Sequence, residues 1–169
     1  LIIGKCADEK MEVLYVIRRA KLEDMEKVME INKKELPENY SSDFFYEMLS
    51  NYGDFFFVAE LKGDIVGYVM SRVETSFSFS SSPPFFLRGH VVSLAVSSSF
   101  RRMKIGSSLM QTTHEEMKKH GIREVYLEVR VDNAPAISLY KKLGYSIVKR
   151  IPYYYADGTD AYMMSMKLF

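Results

Sequence analysis

His90-Val-Val-Ser-Leu-Ala-Val-Ser-Ser-Ser-Phe-Arg-Arg-Met-Lys-Ile-Gly-Ser-Ser-Leu-Met110 carries the chain from a strand into a helix through a basic turn. His90 to Val96 alternates and is rich in β-branched residues, as a buried strand does. Ile105, Leu109, Thr113 and Met117 recur every four residues, as one face of a helix does. A helix that begins near Lys104 offers unpaired backbone N–H groups and the positive end of its dipole to the turn. Arg101, Arg102 and Lys104 add three cations. The stretch therefore reads as a site for a phosphate-like anion.

Working outward, Val13 to Arg19 reads as a strand, and Met25, Val28, Met29 and Ile31 mark an amphipathic helix. Leu36-Pro37-Glu38-Asn39-Tyr40 breaks that helix, because the residue before a proline is pushed out of the helical region. A short helix follows from about Asp43 to Ser50. Asp54–Leu61 and Ile65–Glu74 are strands around the hairpin signal Lys62-Gly63-Asp64. From Thr75 to Arg88 the chain is rich in serine, with Phe77, Phe79, Phe85, Phe86 and Pro83-Pro84. Its Phe-Ser-Phe-Ser alternation could prolong the preceding strand, and the segment reads as a loop packing aromatics on its own domain, with a substrate-channel wall or a dimer contact as alternatives.

Beyond the central helix, which ends near His120-Gly121, Glu124 to Val131 places Val125, Leu127, Val129 and Val131 on one face and Tyr126, Glu128 and Arg130 on the other. Asp132-Asn133 caps a helix that accepts Pro135 in its first turn and stops at Gly144. Tyr145–Ile151 and Asp160–Leu168 close the chain as two strands around Asp157-Gly158. The order is β-α-α-β-β-β-α-β-α-β-β. It predicts a single α/β domain with a mixed, mostly antiparallel sheet and one parallel crossover.

A chain of 169 residues suffices for one core without staples. Cys6 is the single cysteine and reads as an inert thiol that fits a reducing compartment. Lys+Arg 23 against Asp+Glu 22 leaves a formal net charge of +1, so no global field draws nucleic acid or an acidic membrane. No apolar run approaches the ~18 residues of a membrane span, and Leu1-Ile2-Ile3 is too short for a signal core. Residues 1–12 read as an N-terminal extension, with Met11 a candidate start, and 13–169 as the domain. His90, His114 and His120 are too widely spaced to predict a metal site. A P-loop is the weakest reading, because the turn lacks Gly-Lys-Ser/Thr in the required spacing and no acidic strand end offers a magnesium ligand.

The element order and the turn Arg101-Arg102-Met103-Lys104-Ile105-Gly106-Ser107 resemble the GNAT superfamily of acetyl-CoA-dependent N-acetyltransferases. Leu36-Pro37-Glu38-Asn39-Tyr40, Gly89 to Val96, Leu127-Glu128-Val129-Arg130, Asn133 with Leu139-Tyr140, and Tyr154-Tyr155-Ala156-Asp157-Gly158 with Asp160-Ala161-Tyr162 are similar to the catalytic subunits of archaeal and NatA-type N-terminal protein acetyltransferases. The resemblance covers about residues 15 to 168. One departure is that Lys104 stands where the superfamily turn has its first Gly, and a positive φ there would cost Lys about 1 kcal/mol or more.

The resemblance implies roles for particular residues. Backbone N–H groups from Arg102 to Ser107 would cradle the coenzyme A pyrophosphate, with Arg101, Arg102 and Lys104 as secondary charges and Met103, Ile105 and Gly106 in the same turn. Leu94, Ala95 and Val96 would pair with the pantetheine amides and supply an oxyanion donor, and Asn133 belongs to the same coenzyme set. Glu38, His90 and Glu128 are candidate general bases. Tyr140 would stand by the coenzyme sulfur as proton donor. Leu36, Pro37 and Tyr40 on one side, and Tyr154 and Tyr155 on the other, would grip a peptide N-terminus.

An α-amine has a pKa of about 7.7 to 8.0 against about 10.4 for lysine, so only modest base help is needed at neutral pH. The resulting expectation is acetyl transfer from acetyl-CoA to protein N-termini bearing a small first residue or Met, in the cytoplasm, without a metal. An auxiliary subunit or ribosome association is possible in this family but not required. Lysine or small-amine acetylation, and a non-catalytic acyl-CoA-binding module, are the alternatives. The residues also allow other readings. His90 could bond backbone at a strand end, Glu128 could pair with Arg130 or a lysine, Glu38 could be solvated or shape its loop, and Tyr140 could be a core aromatic with Ile137 and Leu143.

Overall fold

The computed structural model describes residues 2–6, 13–78 and 84–169. Met11, Phe79 and Pro83, singled out above, lie outside the described residues, as does the side chain of Cys6. The chain gathers into two compact units, residues 1–72 with 93–116 and residues 73–92 with 117–169. The division falls within two long strands and near the end of one helix, so each of the three contributes residues to both units.

The first unit opens with β1 (Ile2–Cys6), antiparallel to β2 (Val13–Arg19) in a register from Ile2↔Ile17 to Cys6↔Val13. This strand was not foreseen: five residues carry too short a pattern to distinguish a strand from an extension. α1 (Met25–Glu35) follows, burying Met25, Val28 and Ile31. It stops where Leu36 turns extended before Pro37, as the sequence requires. α2 (Ser42–Tyr52) starts under a cap, with the Ser41 hydroxyl accepting the Phe44 N–H.

β3 (Phe56–Leu61) pairs antiparallel with β2 and with β4 (Asp64–Phe77). The β3–β4 turn has Lys62 at φ 52 and Gly63 at φ 88, two left-handed residues in a row, whose twist matches that of the flanking strands. The last residues of β5 (Phe85–Val96) lie beside β4 in this unit. A Cβ on Gly67 would stand 3.0 Å from the Ala95 carbonyl oxygen, so glycine permits that approach. α3 (Ile105–Lys119) buries Ile105, Leu109, Thr113 and Met117, the predicted face. Gly121 at φ 72 ends it, with the Ile122 N–H returning to the Met117 carbonyl.

In the second unit β5 runs parallel to β6 (Glu124–Arg130) through Arg88↔Glu124, Gly89↔Val125 and His90↔Tyr126. β6 is antiparallel to β8 (Ala161–Lys167), which is antiparallel to β7 (Ser146–Ile151). The parallel crossover and the otherwise antiparallel pairings among the described strands agree with the mixed sheet read from the sequence. β5 starts five residues earlier than the alternation suggested, and its ladder with β6 begins at Arg88↔Glu124, whose side chains also pair. Val125, Leu127 and Val129 are buried, as is Tyr140 on α4 (Ala134–Lys142), which Asn133 caps by accepting the Ala136 N–H.

Candidate active site

The basic turn is built by backbone strain. Ser98–Phe100 forms a short 3-10 turn, after which Arg102 and Lys104 both adopt left-handed conformations, at φ 66 and φ 62. Lys104 thus takes the positive φ of the absent glycine, at a cost of about 1 kcal/mol or more. Its carbonyl accepts the Ser108 N–H, the first bond of α3. The amides of Ile105, Gly106 and Ser107 precede that bond and are left for an anion. Arg102 and Lys104 are exposed, and neither side chain has an ion pair among the described residues. Arg101 differs: its Nη2 donates to Glu35 Oε2 at 2.8 Å, while its Nε donates to the Val96 carbonyl at 3.4 Å. Of the three cations, two face solvent and the third braces the turn.

The same unit holds the loop from Leu36 to Tyr40. Glu38 lies outside any helix or strand, and a buried network anchors its backbone. Asn32 Nδ2 donates to the Glu38 carbonyl at 3.3 Å and to the Tyr68 hydroxyl at 2.9 Å, and Tyr68 shares a 2.8 Å hydrogen bond with the Ser93 hydroxyl. Burial pushes the Tyr68 phenol up to about 12, so it stays neutral and serves as both acceptor and donor. Tyr40 stacks on Phe44 at 4.9 Å and meets Phe45 edge-on. Leu36 is half-buried and Pro37 exposed, while Leu94 and Val96 on β5 alternate with buried Ser93 and Ala95.

The candidate bases of the second unit, His90 and Glu128, sit on paired strands. His90 and Tyr126 are ladder partners, and their rings stack at 4.3 Å with planes 3° apart. One pleat further along β6, Glu128 Oε2 lies 2.6 Å from His90 Nε2. Both side chains are nearly buried, at 11% and 13% exposure, so the pair is short and little screened. The other imidazole nitrogen lies 3.7 Å from Glu74 Oε1, and the Tyr126 hydroxyl donates to Glu74 Oε2 at 2.8 Å. Burial, with Glu74 beside it, keeps the Tyr126 phenol protonated far into base. The Arg88 guanidinium lies over the Tyr126 ring at 4.1 Å and bonds Glu124.

Two alternatives are thereby decided: Glu128 pairs with His90 and not Arg130, and the His90 side chain bonds Glu128 and not backbone. Arg130 instead holds the β7–β8 turn, through Asp157, Thr159 and the face of Tyr155 at 4.9 Å. Tyr154 and Tyr155 meet edge-on, Tyr154 the more exposed. Tyr140 is buried with its ring 5.8 Å from that of Tyr145, and burial alone pushes its phenol up to about 12. Among the described residues no group of three His, Cys, Asp or Glu side chains is placed to hold a metal. No described helix is long and apolar enough to cross a membrane.

Glu74, Tyr126 and Arg88 were not singled out from sequence. Tyr126 alternates with Glu128 on one face of β6 and was legible in principle, whereas Glu74 comes from a distant strand and gave no signal.

The short carboxylate–imidazole contact in the second unit and the basic, glycine-containing turn in the first are each compatible with acyl transfer to an amine from a phosphate-bearing donor. The family comparison agrees: residues 25–145 match the acetyltransferase (GNAT) family, and the chain belongs to that family. Within it the chain is an N-alpha-acetyltransferase. It is 49% identical over 163 residues to the N-alpha-acetyltransferase of Sulfolobus acidocaldarius, covering 95% of this chain and 97% of that one. Among solved structures, Ard1 from Thermoplasma volcanium matches with a TM-score of 0.79 and 30% identity over 92% of this chain and 98% of its own. Arabidopsis thaliana Naa50, in complex with the bisubstrate analogue CoA-Ac-MVNAL, matches with a TM-score of 0.77 and 25% identity over 90% and 97%.

Proposed function

We propose that this N-alpha-acetyltransferase transfers acetyl from acetyl-CoA to the free α-amine of protein N-termini with a small first residue or Met, and that Glu128 and His90 take up the amine's proton. The observation that carries this reading is the 2.6 Å contact between His90 Nε2 and Glu128 Oε2 in a nearly buried setting. With Glu128 ionised, the imidazole N–H donates to the carboxylate. When a proton is taken up at Nδ1, the Nε2 proton can pass to the carboxylate, whose O–H then donates to the bare Nε2. The pair therefore accepts one proton with little rearrangement, which suits an amine already partly neutral at pH 7.

The turn from Arg102 to Ser107 fits a coenzyme pyrophosphate, since it combines unbonded first-turn amides with two exposed cations. Bound there, acetyl-CoA supplies an activated acetyl thioester. Leu94 to Val96 is the strand segment assigned to the pantetheine amides and Asn133 a further coenzyme residue. Tyr140, held protonated by burial, is the donor toward the departing sulfur. Leu36, Pro37, Tyr40, Tyr154 and Tyr155 are the substrate-gripping residues, and Glu38 assists from the loop. We assign the enzyme to the cytoplasm, acting without an obligatory auxiliary subunit.

The test is acetyl-CoA turnover on short peptides varied at the first residue, some with internal lysines and some with blocked termini. Turnover confined to free termini supports the reading. Turnover that survives blocking moves the acceptor to lysine, and coenzyme binding without turnover leaves a binding module.

A further inference from the structure

Glu35 is the last residue of α1, immediately before the Leu36-Pro37-Glu38 segment. A charged residue at a helix end usually faces water, yet the Glu35 side chain is only 6% exposed. Both its oxygens are engaged by the basic turn. Oε1 accepts the Ser98 backbone N–H at 2.9 Å, and Oε2 accepts Arg101 Nη2 at 2.8 Å. Arg101 in turn donates to the Val96 carbonyl, and the Ser97 N–H donates to the Val66 carbonyl at 2.8 Å, so the turn is tied to both β5 and β4 at its entry.

On charge alone this arrangement is unfavourable for an anion site. A little-screened carboxylate sits on the turn that is to receive a pyrophosphate, and it occupies one of the three cations. The backbone gives a reason for its presence. Two non-glycine residues four and six positions past Ser98, Arg102 and Lys104, hold positive φ and would relax if the turn were loose.

We propose that Glu35 is a positioning residue for coenzyme binding: its carboxylate clasps Ser98 and Arg101, holding the turn in its anion-receiving conformation despite Lys104 in place of glycine. Because Glu35 directly precedes the acceptor loop, the same clasp ties residues 36–40 to the coenzyme turn. The proposal rests on the acetyl-CoA reading of that turn.

The two views of Glu35 predict opposite signs. If the carboxylate only repels phosphate, Glu35→Ala frees Arg101 and tightens acetyl-CoA binding. If it is a clasp, Glu35→Ala weakens binding. The experiment compares the parent chain, Glu35→Gln, Glu35→Ala, and Glu35→Ala combined with Lys104→Gly, each confirmed folded by its melting transition. Readouts are the acetyl-CoA Kd, KM and kcat, and amide exchange in the coenzyme-free protein.

The clasp predicts a Kd at least fivefold higher for Glu35→Ala, with KM for acetyl-CoA rising by more than kcat falls. Glu35→Gln, which keeps its acceptor oxygen, is intermediate. Lys104→Gly removes the strain and recovers at least half of the loss on a logarithmic scale. The Ser98 amide, deprived of its acceptor, exchanges at least fivefold faster. An unchanged or lower Kd, or no rescue by Lys104→Gly, overturns the proposal. Failure of the parent itself to bind acetyl-CoA overturns the acetyl-CoA reading instead, while unchanged Ser98 exchange in the coenzyme-free variant overturns the clasp independently of any ligand.

Discussion

Glu128 and Glu38 are both carboxylates assigned to proton handling, but the protein holds them in different ways. Glu128 lies in a seven-residue strand paired with β8 from Glu124↔Lys167 to Arg130↔Ala161, and its oxygen is 2.6 Å from an imidazole that is itself stacked on Tyr126. Glu38 lies in a segment between two helices, where its carbonyl accepts an Asn32 hydrogen bond of 3.3 Å. A strand-held group has its pose set by the ladder, whereas a loop-held group depends on whatever pins the loop. The contrast assigns the fixed chemical step to Glu128 with His90, and adaptable substrate contact to Glu38.

The largest effect that bears on this contrast is expected from Glu128→Gln, which keeps shape and removes the base. The kcat/KM for a free-amine peptide should fall about 100-fold, the lower range for loss of a general base. Glu38→Gln should cost about tenfold less, so steady-state assays on the two variants rank them directly. Equal losses would erase the distinction. Next comes Tyr140→Phe, for which kcat should drop about tenfold with the acetyl-CoA KM little changed. Since burial pushes this phenol up to about 12, the proton is retained across the neutral range, and a loss due to its ionisation appears only as pH climbs toward that value.

Tyr68→Phe sharpens the loop side of the comparison. It leaves the Ser93 hydroxyl and one Asn32 N–H without their partner, which should cost about 1–3 kcal/mol in denaturant titrations. It should also raise the peptide KM by more than the acetyl-CoA KM, because the network ends at Glu38. The smallest effect is an acid limb. Burial opposes ionisation of Asp24 at the start of α1, but the Arg18 guanidinium and the Lys21 N–H overcome it, and the carboxyl is held below its usual range. A depressed folded pKa means that the unfolded chain binds more protons in acid. Its stabilisation is complete above the unfolded value of about 3.9 and is lost as pH falls through the folded value. Asp24→Asn should therefore flatten the fall in urea midpoint below about pH 4.

Local pattern made much of this legible. The β2 strand, Val13–Arg19, was read to the residue, and the Lys62-Gly63 turn, the α3 face and the Asn133 cap all follow from chemistry that neighbouring residues settle. The positive φ of Lys104 was anticipated only because the turn resembled a family that has glycine there. What sequence did not show depends on distant partners. β1 exists because β2 offers an edge, and Glu35 is buried because Arg101, 66 residues later, meets it. His90 and Glu128 were selected by residue type and strand position. Their 2.6 Å separation comes from the ladder register His90↔Tyr126, which no local pattern specifies.

The most direct test of the strand-held pair is the pH dependence of kcat/KM for one free-amine peptide, recorded for the parent, Glu128→Gln and Glu38→Gln. The account predicts that Glu38→Gln keeps the parent's profile at a lower level. Glu128→Gln should lie about tenfold below Glu38→Gln across the range. A Glu128→Gln profile that matches the parent in shape and height would contradict it.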